Sequence, residues 1–166
     1  MADERIAAFE KKFDDLDNKK DGKMNKAEFH TLYKELEGKE CEQEESDIMF
    51  NGIDIDGSGQ VAKEEFMDLV KAIVNNDEMY TYKLIFRAFD KDHSAALEAK
   101  EVVDVAKYCN KEMTIEQAEE FVQKQTGKKN GKITFAMLYN LLTGKEVKAD
   151  YDPYDGKLKS GCCLLI

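Results

Sequence analysis

One proline, no tryptophan and two histidines in 166 residues are the shortages that first shape a reading of this chain. With so little to break helices, and 42% apolar content, the composition suits a compact helical protein. Two histidines leave little material for a catalytic centre, and no serine, cysteine or carboxylate stands in a recognisable catalytic grouping, so an enzyme is the least supported class. Apolar runs never approach the ~20 residues of a membrane-spanning helix. The start, MADERIAAFEKK, has no signal-peptide core, and Ala2 stands where N-myristoylation needs glycine. Four cysteines, two of them adjacent, do not form a disulfide framework and point to a reducing cytosolic setting. Basic residues number 25 against 35 acids, a net charge of −10, which disfavours nucleic acid and favours cations and basic partners.

What is present begins with the stretch from Asp54 to Glu65, DIDGSGQVAKEE. Acids occupy its first, third and last places, Ser58 the fifth, Gly59 the sixth and Val61 the eighth. That is the EF-hand calcium-loop pattern. Calcium takes six to eight oxygens at roughly 2.3–2.6 Å, and a loop of this length can wrap them around one ion. Asp54, Asp56 and Ser58 would give side-chain oxygens, Gln60 its carbonyl and Glu65 both carboxylate oxygens, with water at the ninth place beside Ala62. Gly59 permits the positive φ of the sharp turn.

The pattern repeats. Apolar residues at helical spacing flank the loop, with Met49, Phe50 and Ile53 before it and Phe66, Leu69, Val70 and Ile73 after it. The same arrangement recurs at intervals of about 36 residues around Asp17–Glu28, Asp90–Glu101 and a degenerate Thr126–Met137. Four helix–loop–helix copies thus span residues 3–144, and the chain resembles the calmodulin and troponin C branch of the EF-hand superfamily. The resemblance implies an all-α fold of four EF-hand units in two lobes, residues 1–75 and 76–144. Short antiparallel strands would join paired loops through Met24, Val61, Leu97 and Ile133. Asn75 and Asn76 interrupt the helical stretch between lobes, and the pattern leaves open whether the lobes stay apart.

Ligand chemistry ranks the loops. Loop two, Asp54–Glu65, is complete. Loop three offers Asp90, Asp92, Ser94, the Ala96 carbonyl, Glu98 and Glu101, but Ala95 replaces the glycine, at a cost on the order of 1 kcal/mol. Loop one keeps Asp17, Asp21, the Lys23 carbonyl position, Asn25 and Glu28, yet puts Lys19 at a ligand place. Its occupancy stays open and is expected to be weaker. Loop four has Thr126, Lys128 and Met137 where acids belong and is expected to bind nothing, serving to pair with loop three. The cofactor expected is therefore Ca²⁺ at two sites, with a third open and Mg²⁺ as competitor.

His93, at the fourth place of loop three, reads as solvated, His30 as a boundary residue and Cys109 as core; no role is legible for Cys41. Met49, Met67, Met113 and Met137 fit either an adaptable groove or ordinary core. After Leu142 the chain turns polar, with the lone proline and late glycines, and reads as a flexible tail over 145–166. It ends in Cys162, Cys163, Leu164, Leu165 and Ile166, matching a C-a-a-X signal with Cys163 as prenyl acceptor and Cys162 as a candidate palmitoyl site. Since one lipid anchors only marginally, the second cysteine matters. The sequence thus reads as a calcium sensor at the cytoplasmic face of a membrane, opening an apolar groove for an amphipathic helical segment of a target protein. A calcium buffer and a constitutively bound, light-chain-like subunit are the alternatives.

Overall fold

A computed structural model of the chain describes residues 2–37 and 42–158. Eight helices alternate with two-residue strands: α1 (Ala2–Leu16), β1 (Lys23–Met24), α2 (Lys26–Glu37), α3 (Gln43–Ile53), β2 (Val61–Ala62) and α4 (Lys63–Asn75). After these come α5 (Glu78–Phe89), β3 (Ala96–Leu97), α6 (Ala99–Tyr108), α7 (Ile115–Thr126), β4 (Ile133–Thr134) and α8 (Phe135–Thr143). Each helix pair with its loop is one EF-hand, and the strands pair the hands. β1 is antiparallel to β2, with Met24 opposite Val61, and β3 to β4, with Leu97 opposite Ile133. All four of these side chains are fully buried. The fold is the all-α arrangement of paired EF-hands expected from the repeats.

Helix ends follow local chemistry. Asp77 caps α5 by accepting from the Tyr80 N–H, and Thr114 caps α7 by accepting from that of Gln117, whose side chain reaches back. α4 ends at Asn76, in the left-handed conformation at φ 53, a region asparagine tolerates better than most residues.

The two lobes are packed together. One apolar cluster gathers Phe13, Met24, Phe29, Phe50, Ile53, Val61 and Phe66, and the other Phe86, Phe89, Leu97, Val102, Ile133, Phe135 and Leu138. Each borrows from the other side. Leu84 of α5 is buried in the first cluster and Ile55 of loop two in the second. The broadest helix–helix contact is α3 on α5. It depends on Gly52, where a Cβ would stand 2.6 Å from the Leu84 carbonyl oxygen. Beside this contact Arg87 is buried with its guanidinium 5.0 Å from the Tyr80 ring centre.

The stretch expected to be a flexible tail differs most from the sequence reading. Val147, Tyr151 and Leu158 lie against the second cluster and Tyr154 is wholly buried within it. Tyr151 lies 5.2 Å from the Phe135 ring, with the Lys83 ammonium 5.4 Å from its own ring centre. Ion pairs Lys83–Asp155 at 2.7 Å and Lys157–Asp68 at 2.6 Å fix the turn to α5 and α4. Val147, Tyr151, Tyr154 and Leu158, placed without helical period, satisfied no amphipathic pattern, yet each packs into or against the second cluster. Cys41, Cys162 and Cys163 lie outside the described residues.

Gly52→Ala tests the lobe contact. Its gain in helix propensity, up to ~1 kcal/mol, opposes overpacking of about 1–3 kcal/mol. A lowered melting temperature in chelator is expected, and an unchanged or raised one would show that the lobes do not depend on this approach.

Candidate calcium sites

Loops two and three share most of their internal hydrogen bonds. Asp54 Oδ2 accepts from the Gly59 N–H at 2.8 Å and Asp90 Oδ2 from that of Ala95 at 2.8 Å. The Ser58 N–H donates to Asp54 Oδ1 and Asp56 Oδ1 at 2.9 and 3.0 Å, as that of Ser94 does to Asp90 Oδ1 and Asp92 Oδ1 at 3.0 and 3.1 Å. The serine hydroxyls donate to the Gln60 and Ala96 carbonyls. At the far end Glu65 accepts from the N–H groups of Ile55, Asp56 and Ala62, and Glu101 from those of Lys91 and Glu98. These bonds draw Asp54, Asp56 and Glu65 together with oxygens within 4.8 Å of one another, and Asp90, Asp92 and Glu101 likewise.

Concentrating carboxylates this way costs free energy in the absence of a cation. Burial raises the pKa values of Asp54, Glu65, Asp90 and Glu101 above their ordinary values, and neighbouring carboxylates add to each rise. An acceptor-only, oxygen-rich set of this composition fits a hard divalent ion such as Ca²⁺. Gly59 takes φ 78 as the turn requires, and Ala95 adopts φ 59 in its place, so the strain expected in loop three is present in the backbone.

Loop one is less complete. Asp17 and Glu28 are buried, Gly22 donates to Asp17 Oδ2 at 2.8 Å and Lys23 to Asp21 Oδ1 at 3.1 Å. Asp17 Oδ1 is buried without a hydrogen-bond partner. The Asn18 amide donates to Glu28 Oε1 at 3.2 Å, where loops two and three use backbone N–H groups. Lys19, at a ligand place in sequence, is exposed. Loop four closes on itself. The Thr126 hydroxyl donates to the Val122 carbonyl at 2.7 Å and lies where a Cβ on Gly131 would have to sit.

Two side chains outside loop three reach its ligand groups, and sequence reading missed both. The Lys132 ammonium of loop four lies 3.2 Å from Asp92 Oδ2, Ser94 Oγ and Glu98 Oε1. Against a burial contribution that pushes upward, hydrogen bonds from Ser94 and Lys132 hold the Asp92 carboxyl down at about 2. The signal was available in the strand register: Leu97 faces Ile133, which sets Lys132 beside Glu98. The second is the Tyr154 hydroxyl, which donates to Asp90 Oδ2 at 2.7 Å. His93, expected to be solvated, is instead half-buried. Its ring carbon lies 3.1 Å from where a Cβ on Gly57 would stand, and its ring centre is 6.1 Å from that of Tyr154. Loops two and three therefore touch across the lobe boundary. His30 is a boundary residue, as expected, bonded to Ser46 Oγ at 2.7 Å.

Because the Lys132 ammonium sits among the oxygens of Asp92, Ser94 and Glu98, where a cation would compete with it, Lys132→Gln is expected to tighten calcium binding at loop three by about three- to tenfold, the scale of one removed charge near the solvent boundary. Calorimetric titration checks this, and weaker or unchanged binding would make Lys132 a support of the loop, not a competitor.

Residues 6–71 match the family model of the EF-hand domain pair. Over longer spans the chain is similar to a polcalcin of Hesperocyparis arizonica, 24% identical across 87% of this chain and 86% of that protein. It is also similar to a probable calcium-binding protein of Arabidopsis thaliana, 26% identical across 86% and 87%. A caltractin of Naegleria gruberi is 28% identical across 81% and 77%. Residues 6–71 are thus an EF-hand domain pair, and residues 78–143 repeat its order of helix, loop, strand and helix.

Proposed function

We propose that the chain is a calcium sensor whose loops two and three hold the ion. The observation that carries this is the gathering of three carboxylates, within 4.8 Å, in each of two loops otherwise closed by their own N–H groups. Asp54, Asp56, Ser58, Gln60 and Glu65 would hold one ion, and Asp90, Asp92, Ser94, Ala96, Glu98 and Glu101 a second. Asp17, Asp21, Lys23 and Glu28 form a weaker third set. When bound, calcium supplies the positive charge these clusters lack, with Mg²⁺ the competing ion.

Glu65 is the residue through which loading reaches the helices. It sits in the first turn of α4 while its carboxylate holds the N–H groups of Ile55 and Asp56 in the loop just past α3. Turning those oxygens inward moves the start of α4 relative to α3. The surface in line to change is an apolar cleft of about 640 Å³, where Met49, Leu69, Ile73, Leu84, Ile85 and Tyr108 meet. Ile73 and Tyr108 are 50% and 41% exposed there. An amphipathic helical segment of a target protein, basic on its polar face to suit a net charge of −10, is the partner proposed.

A dye that brightens on apolar surface, titrated with calcium on the intact protein and on Glu65→Gln with magnesium as control, tests the sensor reading. A calcium-specific rise that weakens in the variant is expected. Calorimetric binding with a flat dye signal would favour the buffer reading. The tail supports membrane tethering on sequence alone, through Cys163 as prenyl acceptor and Cys162 as palmitoyl site. Intact mass of the protein from eukaryotic cells is expected to show a prenyl adduct that Cys163→Ser abolishes, and an unmodified chain would remove the tether.

A further inference from the structure

We infer that Tyr154 is a positioning residue for the loop-three ion site, supplied by the C-terminal segment, so that docking of residues 147–158 and calcium loading of loop three favour each other. The inference rests on the reading of loop three as a calcium site.

The first ligand of a loop of this kind must turn one oxygen inward while the other is held from behind. In loop one the holding oxygen of Asp17 has the Gly22 N–H, and in loop two that of Asp54 has the Gly59 N–H. In loop three Asp90 Oδ2 takes the Ala95 N–H and, in addition, the Tyr154 hydroxyl at 2.7 Å. Asp90 is wholly buried, and so is Tyr154. A hydrogen bond to one oxygen of a buried carboxylate fixes its rotamer, and so the direction of the other oxygen, which a cation site needs. The site that receives this extra donor is the one with alanine at positive φ, where the loop backbone is most strained.

The donor is held firmly because its segment is. Asp152 Oδ1 accepts from the Tyr154 N–H at 2.8 Å and Asp152 Oδ2 from the Gly156 N–H at 2.6 Å, closing a tight turn around Tyr154. Asp155 and Lys157 then pair with Lys83 of α5 and Asp68 of α4. Tyr154 also backs His93, whose ring meets loop two at Gly57. The turn therefore touches loop three directly and both lobes through ion pairs. Linkage is reciprocal: whatever factor the docked segment adds to calcium affinity, bound calcium adds to docking.

The test uses the full chain. Tyr154→Phe keeps the ring and removes the hydroxyl, and is expected to weaken the loop-three step in calorimetry by about three- to tenfold while leaving the loop-two step unchanged. Asp155→Asn, which touches no loop, is expected to weaken the same step in the same direction by loosening the turn. Hydrogen exchange of residues 147–158 is expected to slow on adding calcium in the parent chain and in Glu65→Gln, but not in Glu101→Gln. If calorimetry shows a loop-three step that Tyr154→Phe leaves intact, or exchange there ignores calcium, the coupling is wrong while the calcium site stands. If Glu101→Gln removes no binding step from the parent chain, the reading of loop three fails and the coupling with it.

Discussion

An EF-hand cannot bury its apolar face alone, and the rest of this molecule is arranged around that constraint. Strand pairing between loops joins hands into lobes by burying Met24 against Val61 and Leu97 against Ile133. The same demand then continues past the lobe. α5 still offers Leu84 and α3 still offers Ile48 and the bare surface of Gly52, and their contact merges the two cores. Burial of this kind is worth about 25 cal/mol per Å² of apolar area, so helices of this length gain by closing on each other unless charge prevents it.

Charge does oppose it, since both acidic loops face the junction. Gly57 of loop two and His93 of loop three touch there, and neither brings a further acid to the contact. Buried Arg87 places a positive charge beside Tyr80, whose surroundings include Glu65 and Asp68, and its field also reaches Tyr154 beside Asp90. A buried guanidinium is costly by itself, and the face of the Tyr80 ring offsets part of that cost.

Local rules made the hands legible and tertiary contact decided the rest. Asp54, Asp56 and Glu65 could be read because a loop of fixed length forces fixed roles on fixed places, and the helices because their apolar residues keep the helical period. The departure of loop four from the pattern was visible by the same token, since Thr126 and Met137 stand where acids belong. Lys132 was passed over because its place contributes a carbonyl, which hides the side chain from a motif read along one loop at a time. Tyr154 and Tyr151 lie in a polar stretch with proline and glycine, where composition says turn and says nothing about what the turn packs on. The close approach at Gly52 was invisible for a similar reason, because one small residue on a helix announces space without naming its occupant.

The junction between α4 and α5 has a mechanical meaning. Only Asn76 and Asp77 separate Asn75 from Glu78, and Asn76 is already turned into the left-handed region. Hand two is thus connected to α5 twice, covalently from α4 and by surface from α3. Such an arrangement works as a lever with one short pivot: a change of angle between α3 and α4 has no slack linker in which to dissipate, and the backbone at Asn76 must turn or α5 must follow.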